Sequence, residues 1–234
     1  MQLTVREVAT LLSVSERTIY RWIKEGTIPA YRISEQYRFH RAELLEWATA
    51  RRIGVSADIF QETEGASAPM PSLGEALLAG GIVYRLAGTD KESVLHAAVE
   101  AMHLPEEVDR EQLLRVLVAR EALASTAIGD GVAIPHVRNP IVLHVPRSMI
   151  TLCFLEKPVD FGALDGQPVH CLFTMVSPTV RAHLHLLSRL AFALRDPGFQ
   201  GVIRRPGLRN EILAELRRVE SSLLQPPPVR VAGE

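Results

Sequence analysis

The sequence predicts an α/β chain in two parts: a small winged helix-turn-helix head, then a larger mixed β-sheet covered by helices. Three observations carry this. Residues 1–50 alternate short amphipathic helices with a tight ribbon. Residues 53–72 end in QETEGASAPMPS, a polar stretch of small residues and proline that reads as a linker. From Leu73 to about Leu224 helical patterns flank short β-branched runs, and QPPPVRVAGE reads as a disordered tail over 225–234. The chain of 234 residues has 47% apolar and 23% charged side chains, enough to build a core without disulfide or metal staples.

In the head, Thr4 to Glu7 spells a capping box, and Leu3 and Val8 are spaced to staple it. Val5, Val8, Leu11 and Leu12 form the inner face of the first helix. Ser15 caps a second helix, in which Ile19, Trp22 and Ile23 share a face and which Gly26 and Pro29 end. The opposite face carries Ser15, Arg17, Thr18 and Arg21, with Tyr20 beside them. Two helices joined by a short turn, with hydroxyls and guanidinium groups outward on the second, fit a DNA major groove. AYRI and YRFH then flank Ser34-Glu35-Gln36 as a hairpin. Alternation predicts Tyr31, Ile33, Tyr37 and Phe39 on one face and Arg32 and Arg38 on the other, placed for phosphate contact. A third helix, about Arg41 to Ala50, packs back through Leu44, Trp47 and Ala48.

Charge agrees with this division. Residues 1–52 hold nine basic and six acidic side chains, and the remainder holds 17 against 21. A basic head on an acidic body places any polyanionic partner at the head. This N-terminal sequence resembles the excisionase-type, MerR-like winged helix-turn-helix family over about 50 residues, most specifically in SVSERTIYRWIKEG and the ribbon after it. The resemblance implies DNA binding, with Arg17, Thr18 and Arg21 nearest the bases and Arg32 and Arg38 nearest the backbone. One such module buries only about 600–1,000 Å² on DNA, so a homodimer on two half-sites is expected.

In the body, DKESVLHAAVEAMHL and DREQLLRVLVAREALA have helical spacing, and VAIPH, MITLCFL and VHCLFTMV read as strands. A further helix runs from about Thr179 to Leu194, where Asp196-Pro197-Gly198 breaks it. Cys153 and Cys171 fall inside strand-like runs. With no CxxC pair and no secretory leader, a reduced, cytoplasmic protein is expected. No apolar run approaches the roughly 20 residues of a membrane span.

Among the eight histidines, His136 stands apart. A short strand delivers Pro135 and His136 at its end, after a turn that Gly129 and Gly131 keep open; Asp130 has no clear part beyond capping that turn. REALASTAIGDGVAIPH is similar to the signature of phosphotransferase-system enzyme IIA domains of the fructose, mannitol and nitrogen-regulatory class. PVDFGALDGQPVHCLF and HLHLLSRLA match further on, so the likeness spans about residues 73–220. It implies an IIA fructose/mannitol-like fold in which His136 accepts a phosphoryl group from HPr or its nitrogen-branch paralogue, with Arg120 and His183 around it. Such a protein is a phosphohistidine carrier rather than a turnover enzyme.

The residue types suit that chemistry. A neutral imidazole is a nucleophile near neutral pH, and Arg120 offers paired N–H donors to phosphate oxygens. His183, Leu187 and Leu190 share the inward stripe of their helix, while His185 lies with Ser188, Arg189 and Phe192. A histidine on such a stripe is equally what a satisfied core position looks like; the resemblance is what assigns it to the site. Residues two apart on a helix point in nearly opposite directions, so His183 and His185 are not a metal pair. No metal and no cofactor are expected. The family usually has a small residue after the active histidine; the β-branched Val137 here is expected to narrow access for the carrier or slow transfer, or else to serve a partner shaped to fit it.

Together the two ends read as a transcriptional regulator whose input is phosphorylation of the body. The alternatives are a carrier that hands phosphate to a separate IIB protein, and a nitrogen-regulatory protein that acts by binding other proteins. One phosphate is screened within about 8 Å, while a 20-residue linker spans roughly 25 Å. Phosphorylation is therefore expected to act through docking between domains or protomers rather than by repelling DNA directly.

Overall fold

The computed structural model describes residues 2–33, 36–51, 53, 70–137 and 145–223. Most of the expected linker and the expected tail lie outside them, as do His144, Ser34 and Glu35.

The head starts with a strand the sequence reading lacked, β1 (Gln2–Thr4), followed by α1 (Val5–Leu11) and α2 (Glu16–Lys24). Thr4 and Glu7 form the capping box of α1, and Leu3 and Val8 are buried. Ser15 caps α2 by accepting the Thr18 N–H, and its hydroxyl also meets the Thr18 hydroxyl at 2.9 Å. Strands β2 (Tyr31–Ile33) and β3 (Gln36–His40) join β1 in an antiparallel sheet ordered β1-β3-β2, and α3 (Arg41–Ala50) closes the head. Leu44, Trp47 and Ala48 are buried.

The ribbon corrects one expectation. Tyr31 pairs directly with Arg38, and Arg32 with Tyr37. Directly paired residues of antiparallel strands share a face. Arg32 and Arg38 therefore leave the ribbon from opposite faces, because the two strands pair one residue out of step with the simple alternation.

The body consists of α4 (Leu73–Gly80), β4 (Ile82–Leu86), α5 (Lys91–Ala101), α6 (Arg110–Leu123), β5 (Ala127–Gly129), β6 (Val132–Ala133), β7 (Met149–Val159), β8 (Val169–Val176), α7 (Val180–Ala193), α8 (Pro197–Arg204) and α9 (Arg209–Leu223). The helices cover a five-stranded mixed sheet ordered β4-β7-β8-β6-β5. β7 and β8 run antiparallel through its middle, while β4 and β6 lie parallel to their inner neighbours. Strands β4 and β5 and helix α4 were not resolved as elements in the sequence; two of the three are very short or half-exposed and carry little period. The end of α4 lies directly on β7: a β-carbon at Gly80 would run into the Ile150 backbone. At the other end of α4, the buried Glu220 carboxylate of α9 accepts the N–H groups of Leu73 (2.6 Å) and Gly74 (3.1 Å).

Head and body are packed together. Helix α3 rests on α7 and β5, and one continuous cluster of buried apolar side chains runs from Val8 and Leu45 of the head to Ile134 and Leu187 of the body. Leu44, Trp47 and Ala48 serve the head's own core, so Leu45, Glu46 and Thr49 form a second stripe facing the body.

Candidate active site at the head–body junction

The site is built on the short β5–β6 hairpin. Gly129, Asp130 and Gly131 all have positive φ (89°, 53° and 71°), which turns the chain within three residues. Asp130 is held by its N–H to Asp165 (2.8 Å) and by an ion pair with Arg204 (3.3 Å). Beyond β6 the backbone stays tied down: Ile134 N–H donates to Thr126, and the Pro135 carbonyl accepts from Met175. His136 thus projects from a fixed extension of the sheet, bridged to β8. Alternation along this extension sends the next residue the other way. Val137 is buried beside Val99, Leu117 and Val176, so it does not narrow the approach to His136.

The imidazole of His136 is oriented by its own strand. Its Nδ1 lies 2.7 Å from the Ile134 carbonyl. A carbonyl oxygen only accepts, so Nδ1 carries the proton and Nε2 is the atom that faces the site. The ring of His183, on α7, lies 5.1 Å away between centroids. His183 is 1% exposed, and neither of its ring nitrogens has a hydrogen-bond partner among the described residues. Burial, with His136 adding to it and Glu46 opposing, pushes its pKa down to about 3, so it stays neutral. Arg120, near the end of α6, anchors one guanidinium nitrogen on the Ala124 carbonyl (2.6 Å) and gives the other to a carboxylate that also meets His136.

A fourth residue, absent from the sequence reading, joins these three. Glu46 of the head enters the site with both carboxylate oxygens engaged. Oε2 accepts from Arg120 Nη2 at 2.8 Å, and Oε1 lies 3.0 Å from His136 Nε2. All four side chains are more than 90% buried. The only sequence signal for Glu46 was Leu45 beside it, an apolar residue off the helix's inward stripe.

The residues expected to read DNA sit elsewhere on the head. Ser15, Arg17, Arg21 and Arg32 are exposed, Thr18 and Arg38 half-buried. Arg38 spends its guanidinium on the Tyr37 carbonyl and the Gln36 side chain. Docking on the body therefore leaves the outer face of α2 open. Both cysteines are buried, and burial pushes the Cys153 thiol up to about 12. Among the described residues no group of histidine, cysteine and carboxylate side chains is arranged to hold a metal, and no helix is long and apolar enough to cross a membrane.

A five-stranded mixed sheet covered by helices in this order is the fold of phosphotransferase IIA proteins. The nitrogen regulatory protein IIA-Ntr of Neisseria meningitidis superposes with a TM-score of 0.53 at 28% identity, covering 62% of this chain and 98% of that one. A IIA protein of Streptococcus mutans shares the fold at 20% identity, with a TM-score of 0.50 over 65% of this chain and 97% of that one. The chain belongs to the EIIA 2 family of the phosphoenolpyruvate-dependent sugar phosphotransferase system, matched over residues 77–219, and carries a helix-turn-helix domain over residues 3–52. By sequence it is 40% identical over 136 residues to the nitrogen regulatory protein of Pseudomonas aeruginosa, covering 53% of this chain and 81% of that protein. The nitrogen regulatory protein of Bradyrhizobium diazoefficiens is 36% identical over 108 residues, covering 45% of this chain and 68% of that protein.

Proposed function

We propose that this chain is a DNA-binding regulator whose body accepts a phosphoryl group on His136 from an HPr-type carrier. The observation that carries the reading is the orientation of His136. Nδ1–H is committed to the Ile134 carbonyl, which leaves Nε2 as the acceptor atom, with the ring of His183, unpartnered among the described residues, beside it and Arg120 on the same Glu46 carboxylate. In the transfer, the Nε2 lone pair forms the new N–P bond while the donor's N–P bonding pair returns to the donor nitrogen. Little else is asked of the protein than in-line positioning and charge stabilisation. Arg120 neutralises the phosphoryl oxygens, and neutral His183 donates its single ring N–H to one of them.

DNA recognition belongs to the head, through Arg17, Thr18 and Arg21 on α2 with Ser15 at its start, and through Arg32 and Arg38 on the ribbon. Two copies on two half-sites would supply the area one module lacks. The likeness to nitrogen regulatory proteins favours a second reading, in which the unphosphorylated body captures a partner protein.

The test is transfer of labelled phosphate from phosphoenolpyruvate, through the general relay proteins, to wild type and to His136→Ala. Label on wild type alone is expected. With the relay shown active, no label on wild type would refute the phosphoacceptor role.

A further inference from the structure

The Glu46 carboxylate stands where a phosphoryl group on His136 would stand. It is an anion with two oxygens, one on Arg120 and one on the acceptor nitrogen, and it comes from the other domain, 74 positions away from Arg120 and 90 from His136. We propose that Glu46 is the built-in occupant of the phosphoryl pocket, so that docking of the head and phosphorylation of His136 exclude each other. This rests on the phosphoacceptor reading above and says how the two domains communicate.

Three observations support it. The first is space. Oε1 of Glu46 lies 3.0 Å from Nε2, inside the volume a phosphoryl group bonded to that nitrogen needs. The second is protons. Nδ1 already donates to Ile134, so the contact between Nε2 and a carboxylate is a hydrogen bond only if a proton lies between them. With that proton on Nε2 the nitrogen has no lone pair to offer, and docking silences the nucleophile as well as covering it. Phosphorylation then requires the head to leave and the proton to pass to solvent. The third is charge. The pocket presents Arg120 and His183, which is unpartnered among the described residues, to whatever anion enters. A phosphoryl group brings more negative charge than the carboxylate, and Glu46 cannot return beside it.

The rest of the contact combines a shared apolar cluster with open space. Beside the docked helix runs a cleft of about 440 Å³, lined by Leu45 and Thr49 of the head and by Phe192, Arg195 and Arg204 of the body. Because the outer face of α2 stays open in the docked form, the switch sets the head's position on the body rather than covering its arginines. By linkage, whatever draws the head onto DNA in an undocked arrangement also favours phosphorylation.

Two measurements on the full chain test the proposal. Initial rates of labelling by the phosphoenolpyruvate relay compare wild type with Glu46→Gln, which keeps the shape but loses the charge. If the docked form dominates, the variant is labelled about tenfold faster or more, since wild type reacts only through its undocked fraction. Equal rates would overturn mutual exclusion. Small-angle X-ray scattering then compares unphosphorylated wild type, phosphorylated wild type and Glu46→Arg, whose new charge faces Arg120. A compact first form and two extended ones are expected; three identical profiles would overturn the docking role of Glu46. Failure of every chain to take label would sink the phosphoacceptor reading and mutual exclusion with it, while the Glu46→Arg profile would still decide the docking.

Discussion

His183 makes the stability of the body depend on pH in a way that can be calculated and isolated. In the folded chain its pKa is pushed down to about 3, first by burial and then by His136, against an ordinary value of 6.5. Between those values the unfolded chain binds a proton that the native chain refuses, so stability falls as pH falls. The loss begins near the unfolded value and is complete near the folded one. The two values lie about 3.5 apart, which at about 1.36 kcal/mol each sets a ceiling near 5 kcal/mol. At pH 4.5 roughly 2–3 kcal/mol of it has been lost. The perturbation is His183→Gln, which keeps a polar side chain and removes the titration. Urea unfolding at pH 7.0 and at pH 4.5 gives four free energies, and the other titrating groups are present in both chains, so the double difference reads the substituted side chain. Wild type is expected to lose about 2–3 kcal/mol more than the variant on acidification, or roughly 5–10 °C of melting temperature for a protein of this size. Parallel losses would show that His183 is not held neutral by burial, and the picture of a neutral donor at the site would fall with it.

Three further outcomes follow from the same geometry. Arg120→Lys keeps the charge but loses the fork that serves Ala124 and the site together; labelling of His136 is expected to slow about 10–100-fold in initial-rate assays, and an unchanged rate would remove Arg120 from the chemistry. Glu220→Ala orphans two N–H groups at the start of α4 and leaves Arg189 without its carboxylate, so urea unfolding should show a loss of about 2–4 kcal/mol; a loss under about 0.5 kcal/mol would contradict that accounting. Arg17→Ala and Arg21→Ala should each weaken DNA binding and, for a side chain on phosphate, flatten the dependence of log K on log salt by about 1; unchanged affinity in both would clear α2 of DNA contact.

Much of this could be read along the chain because it is local. The capping box at Thr4 and Glu7, the cap at Ser15 and the span of α3 depend on residues within a turn or two of each other. The histidine was legible because a glycine-bracketed turn and Pro135 mark where a strand must end. Pairing was less so. Alternation alone puts Arg32 and Arg38 on one face, whereas faces in a hairpin are fixed by register, which the turn decides. In sequence Val137 looks like an obstacle beside its neighbour, yet one step along an extended backbone reverses the side chain's direction and carries it into the core.

The sequence alone determined the two parts, their order and the exposed arginines of α2, which follow from periodicity and motif, and it singled out His136 by its turn, while Arg120 and His183 came only with the family resemblance. Tertiary structure alone decided that the parts meet, and where. Glu46 belongs to a helix whose own pattern describes only the side facing its own core. A carboxylate on the other side looks like any solvated charge until another domain supplies a buried arginine and histidine to receive it. Taking that charge out of water costs several kcal/mol unless partners are in place. Those partners come together only when two surfaces far apart in the chain are brought into contact.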